Sequence, residues 1–127
     1  MKQELTKQEL HNLAMNIVGE ELQKEGFEFL AINSDIKKNP QFVALKNKET
    51  YFIVVRPVFS EAATSDSQFV HMKPILEHAE KHKASVFYTG VWLGHGNDIN
   101  QSVIKNEDYS FVYSGLTKIN TTSIQNN

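Results

Sequence analysis

The chain has no cysteine, and that absence removes several chemistries at once. Disulfides, thiolate zinc sites, cysteine-ligated iron–sulphur clusters and a cysteine nucleophile are all excluded. Arginine is almost as scarce, since Arg56 is the single one among 13 basic residues. Proteins that grip phosphate or carboxylate usually use several arginines for two-pronged contacts. Neither sign of charge dominates: 13 Lys and Arg stand against 15 Asp and Glu, a formal charge of −2. Such a balance gives no general attraction to a phosphate backbone. Long apolar runs are missing too. The longest, Tyr51 to Val55, is far short of the ~20 residues that a membrane-crossing helix needs. The N-terminus is polar and lacks the apolar core of a signal peptide, which points to a cytoplasmic protein.

What remains is an ordinary globular composition. With 127 residues, 40% hydrophobic and 22% charged, the chain suits one domain and is not broadly disordered. Folding a chain of this size removes roughly 14,000 Å² from water, about two-thirds of what the unfolded chain exposes. We place a single domain over residues 1–119 and a frayed tail over 120–127, where Ile124 is the only apolar anchor.

Thr6 and Glu9 make a capping box, after which Leu10, Leu13, Ala14, Ile17, Val18 and Leu22 recur at helical spacing up to a stop at Gly26. Strands are predicted over Phe27–Asn33, Gln41–Leu45 and Glu49–Pro57. The last two form a hairpin across Lys46-Asn47-Lys48, with a loop of three to five residues. Tyr51–Val55 is apolar on both faces and belongs in the middle of a sheet. After a loop over Val58–Ser67, a second helix spans Phe69–Lys83, its regular part beginning near Pro74. Two strands, Ser85–Leu93 and Tyr109–Tyr113, follow, joined by a polar loop from Gly94 to Asp108. The order is helix, three strands, helix, two strands. The economical packing is an α/β domain with one mixed sheet flanked by helices.

Several of these positions resemble the PD-(D/E)xK nucleases, and within them the small Holliday-junction-resolvase-like proteins. Gly19-Glu20-Glu21-Leu22 with Gly26 is similar to their opening helix and its exit. The hairpin Gln41–Pro57 looks like the strand pair that carries their metal site, and Lys73, Leu76 and Ala79 look like the helix that follows. The resemblance covers residues 8–93 and implies a restriction-endonuclease-like architecture. It also implies an Asp near Gln41, a Glu at Val54 and a Lys at Arg56. A neutral amide and an apolar side chain cannot supply the anionic oxygens that Mg²⁺ requires. The resemblance therefore implies a catalytically dead relative, with no catalytic residue and no metal at these positions.

Three longer segments, His11–Gly19, Pro40–Lys48 and Phe52–Arg56, resemble short bacterial proteins that carry the label of a sodium-translocating NADH-quinone reductase component. That label implies a flavin, a nicotinamide and an iron–sulphur cluster. This sequence offers no cysteine for the cluster and no Gly-rich turn after a strand, so no cofactor is expected.

Among individual residues, Arg56 stands out, because a charge ending an apolar strand must find a partner or reach water. The structural expectation is a tie to Glu20 or Glu21 on the first helix; the functional alternative is an anionic ligand in a remnant pocket with Gln41 and Val54. His71, His78 and His82 fall within about 40° of one another on a helical wheel. His78 and His82 are four apart and could share a metal, but a solvated rim is the simpler reading. Gly94-His95-Gly96-Asn97-Asp98 suits a loop over a pocket or a plain turn. Tyr109, Phe111 and Tyr113 share one face of their strand and read as core or a dimer contact, with base stacking as the alternative. No nucleophile–base pair can be argued.

The sequence thus favours a non-catalytic binding or scaffold module, working through a protein partner, self-association or a small anion at Arg56. The alternatives are a residual nucleic-acid-binding protein and a reductase-associated protein.

Overall fold

The computed structural model describes residues 2–67 and 70–120. Helix α1 (Lys7–Lys24) starts where the capping box places it, with Thr6 and Glu9 each satisfying the other's backbone N–H. Strands β1 (Glu28–Ile32), β2 (Phe42–Lys46) and β3 (Glu49–Val58) form an antiparallel meander. A 3-10 turn (Ala62–Thr64) and helix α2 (Lys73–Lys81) carry the chain over to β4 (Ser85–His95), which runs parallel to β3. Strands β5 (Tyr109–Tyr113) and β6 (Thr117–Ile119) both pair with β4, opposite His95–Val91 and Tyr88–Val86 respectively. The result is a single α/β domain with a mixed six-stranded sheet and two helices. Its strand order is β1-β2-β3-β4-β5, so the strand that is apolar on both faces does lie at the centre.

Strand alternation divides the core between the two helices. Ile53 and Val55 of β3 join Val91 and Leu93 of β4 under Ala14, Met15, Ile17, Val18 and Leu22 of α1. Phe52 and Val54 face the other way, with Val86 and Tyr88, onto Ile75 and Ala79 of α2 and onto Met72 at its N-cap. Burying each of these larger apolar side chains contributes about 1.5–3 kcal/mol, which is why a short helix with no side-chain cap, α2, still forms.

Four details differ from the sequence reading. The β2–β3 loop has two residues, because Lys46 pairs with Glu49. Asn47 and Lys48 both take positive φ (52° and 66°), as a tight hairpin turn requires. Helix α2 is shorter than expected and begins at Lys73, with Pro74 in its first turn, where a missing N–H costs nothing; Phe69 lies outside the described residues. Strand β4 runs on to His95, so Gly94 is a strand residue. Strand β6 went unpredicted because three residues carry too little pattern to register. The expected fraying falls on residues 121–127, outside the described residues, while Asn120 lies within them.

Candidate functional site

Strand β3 outruns its neighbour. The ladder to β2 closes at Phe42 opposite Ile53, leaving the backbone of Val55 with no strand on that side. Buried backbone groups must be paired, and here side chains take over the role of the missing strand. The Gln41 side-chain oxygen accepts from the Val55 N–H at 2.9 Å, and His11 Nε2 lies 3.1 Å from the Val55 carbonyl oxygen. Two residues further on stands Pro57, which has no N–H to satisfy.

Gln41 is fully buried and uses both ends of its amide. Its nitrogen donates to the Lys38 carbonyl (2.8 Å) and to Asn39 Oδ1 (3.2 Å). Its oxygen faces the N–H groups of Val55 and Arg56. The reverse orientation would set donor against donor, so the network fixes the amide.

Arg56 is anchored to the same frame. Its Nη1 donates to Gln41 Oε1 (3.1 Å) and the Val55 carbonyl (2.8 Å), and its Nη2 donates to Asn39 Oδ1 (2.8 Å). All three acceptors are neutral, and among the described residues no carboxylate comes within 4.0 Å of the guanidinium. The expected tie to Glu20 or Glu21 is therefore corrected. Arg56 follows Phe52 and Val54 on the α2 side of β3, whereas α1 covers the opposite side. Glu21 pairs instead with Lys24 at 3.4 Å, and Glu20 is an exposed residue lining a groove beside Phe29 and Phe42. Gln41 and Arg56 do meet, Arg56 Nη1 donating to Gln41 Oε1. Val54 lies fully buried under α2 and contributes packing only.

Arg56 borders a cavity of about 320 Å³, walled by Pro57, Val58, Phe59, Val70 and Tyr88, with Asp66 on the same wall. Burial holds the guanidinium below its ordinary pKa, but arginine keeps its charge regardless. Burial also pushes the Tyr88 phenol up to about 12, against a smaller opposing pull from Arg56. Its hydroxyl is neutral and donates to the Ala63 carbonyl at 3.0 Å.

Two members of this cluster were missed by the sequence reading. Asn39 bridges Arg56 and Gln41. His11 is fully buried, with its ring nitrogens 3.1 Å from the carbonyls of Ser34 and Val55. A signal for His11 existed: it shares helical spacing with Ala14, Met15, Val18 and Leu22, which makes it a polar side chain on the buried stripe.

The other candidates lie elsewhere. His71, His78 and His82 are exposed. The rings of His78 and His82 lie 4.7 Å apart, each against Phe52. Among the described residues no group of three or more metal-ligating side chains converges. The aromatic row on β5 is divided: Tyr113 packs against the α1 core, while Tyr109 and Phe111 are exposed. His95 is bound to Glu107 at 2.7 Å and so ties the base of the 96–108 loop. No described helix is long and apolar enough to cross a membrane.

A family model described as a domain of unknown function (DUF8840) matches residues 8–119. No curated protein and no solved structure matches the chain.

Proposed function

We propose that this chain, which belongs to the DUF8840 family, is a non-catalytic binding module that takes a small molecule with an anionic head at Arg56. The observation that carries this reading is a half-buried guanidinium with only neutral acceptors, set beside a cavity. Among the described residues its Nε–H and one Nη2–H have no acceptor, and its charge has no counter-charge in contact. A cavity of about 320 Å³ lies within the range of small-ligand sites, and its walls are largely apolar side chains. A monocarboxylate on an apolar body therefore fits better than a phosphate, and guanidinium donors match carboxylate oxygens.

The chain topology supports a resolvase-like core for this module: a helix, three antiparallel strands, a helix and a strand parallel to the third. On that reading, Gln41, Val54 and Arg56 take the positions of the family's metal-binding carboxylates and lysine. The hydrogen bonds that Gln41 makes there are structural, and they support a loss of nuclease chemistry. The resemblance to a reductase component adds nothing to the site, because a chain without cysteine cannot ligate that component's cluster.

Calorimetric titration with benzoate, inorganic phosphate and a single-stranded oligonucleotide tests the proposal. Benzoate is expected to bind more tightly than phosphate, and Arg56→Met is expected to abolish its binding. Benzoate binding that survives Arg56→Met, or no benzoate binding at all, would refute it. Oligonucleotide binding indifferent to that substitution would favour the nucleic-acid reading instead.

A further inference from the structure

We infer that anion binding at Arg56 is coupled to protonation of His11, so that the site takes up its anion together with a proton. The inference rests on the Arg56 reading above and adds to it the control of that site by pH.

The two ring nitrogens of His11 face backbone oxygens. Both lie 3.1 Å from backbone carbonyl oxygens, Nδ1 from that of Ser34 and Nε2 from that of Val55. A carbonyl can only accept. A neutral imidazole has one N–H, so it satisfies one of these contacts and turns a lone pair towards the other. The imidazolium satisfies both. The pocket is thus shaped for the charged ring, although the side chain is fully buried.

Two effects hold that charge back. Burial lowers the proton affinity of His11 most, and the positive charge of Arg56 lowers it further. The carbonyls of Val55 and Ser34, with the carboxylate of Asp35, pull the other way. Arg56 and Asp35 are the charged groups that bear on the ring, from β3 and from the loop after β1. On α1 itself Gln8 shares the Ser34 carbonyl, to which it donates at 2.8 Å.

Arg56 and His11 also share an acceptor. Arg56 Nη1 lies 2.8 Å and His11 Nε2 3.1 Å from the same Val55 oxygen, so the two nitrogens are within about 6 Å of each other. At that separation like charges oppose one another strongly in a partly buried setting. An anion on the guanidinium cancels this opposition and leaves the two carbonyls and Asp35 to favour the imidazolium. By reciprocity, a proton on His11 raises the affinity for the anion by the same factor. The sign follows: affinity is lowest above the bound-state pKa of His11 and rises as the pH falls through it, by at most about tenfold per pH unit for one proton.

Benzoate remains ionised from about pH 5.5 to 8 and is the probe of choice. Calorimetry in bis-Tris and in imidazole, whose ionisation enthalpies differ, counts the protons taken up. Uptake is expected to approach one proton per benzoate in the window between the free and bound pKa values. His11→Gln is expected to remove the uptake and flatten the pH dependence. Because that substitution alters a buried site, ring ¹⁵N shifts of His11 in the unaltered chain provide a second measurement, and benzoate should move their titration to higher pH. Arg56-dependent binding with no proton uptake and an unmoved His11 titration would overturn the coupling while leaving the Arg56 site standing. Absence of Arg56-dependent binding across the whole pH range would overturn the site and the coupling together.

Discussion

Gln41→Leu and Arg56→Met form a pair whose ranking is set by what each leaves behind. Leucine in place of Gln41 roughly conserves volume but strands the Val55 N–H, whose acceptor is the Gln41 oxygen at 2.9 Å. Val55 is fully buried, so water cannot take over. A buried orphan donor costs about 1–3 kcal/mol. The Lys38 carbonyl also loses its 2.8 Å donor, but it belongs to an exposed residue and is readily hydrated. The total is about 1–3 kcal/mol, a substantial fraction of a typical 5–15 kcal/mol stability.

Arg56→Met removes three hydrogen bonds, yet every partner keeps another polar contact. The Gln41 oxygen keeps Val55 N–H, Asn39 Oδ1 keeps the Gln41 amide, and the Val55 carbonyl still faces His11 Nε2 at 3.1 Å. Methionine retains the apolar stem, and the desolvation of a charge without a counter-charge is relieved. We expect a cost of about 1 kcal/mol or less, where loss of one member of a buried ion pair would cost about 3–5. Urea unfolding with an unchanged m-value measures both variants. Hydrogen exchange at the Val55 amide adds a local readout and should accelerate in Gln41→Leu alone. If Arg56→Met costs as much as Gln41→Leu, the assignment of the guanidinium to ligand rather than scaffold fails.

Two further expectations concern the 96–108 loop. A methyl group at Gly94 would run into the Ile99 carbonyl oxygen, a clash with backbone that cannot swing aside, so Gly94→Ala should destabilise by about 1–3 kcal/mol or more; a thermal melt matching the parent would contradict the close approach. The hydrogen bond from His95, followed by that from Lys2, holds the Glu107 carboxyl below its ordinary 4.5. A lowered carboxyl pKa means that this clasp is present above the unfolded-state value and is lost as pH falls through the folded one. A ¹³C titration of Glu107 should give a midpoint below 4.5 that rises in His95→Gln, and a midpoint at or above 4.5 in the parent would refute the clasp.

The elements themselves were readable in the sequence because their signals are local. Thr6 and Glu9 fix the start of α1 three residues apart, and the run of apolar residues at Tyr51–Val55 needs no partner to announce a central strand. Strand β6 and the 3-10 turn were not readable, since neither carries enough residues for a period. The partner of Arg56 was a different kind of problem. Glu20 and Glu21 could be proposed because nothing in β3 says which face α1 covers: Phe52 and Val54 are as apolar as Ile53 and Val55, so the pattern has no polar side to exclude. Packing resolves that ambiguity in favour of Ile53 and Val55.

The true partners were within reach of a different inference. A two-residue turn at Asn47-Lys48 sets Lys46 against Glu49 and fixes every pair above it, up to Phe42 opposite Ile53. Continuing that register past the end of β2 brings Gln41 opposite Val54 and Asn39 opposite Arg56. Both side chains are those that the structure places on the guanidinium. A loop of three to five residues destroys the alignment, because a slip of one residue moves each side chain to the other face. Asn and Lys both adopting positive φ is less common than the Asn-Gly pair that usually marks such a turn, and this is why the tight turn went unread. The candidate site was thus obscured by one turn type more than by any distant contact. Its chemistry follows from the same register, since the strand that would have covered Val55 stops at Phe42 and leaves Gln41, Asn39 and His11 to take its place.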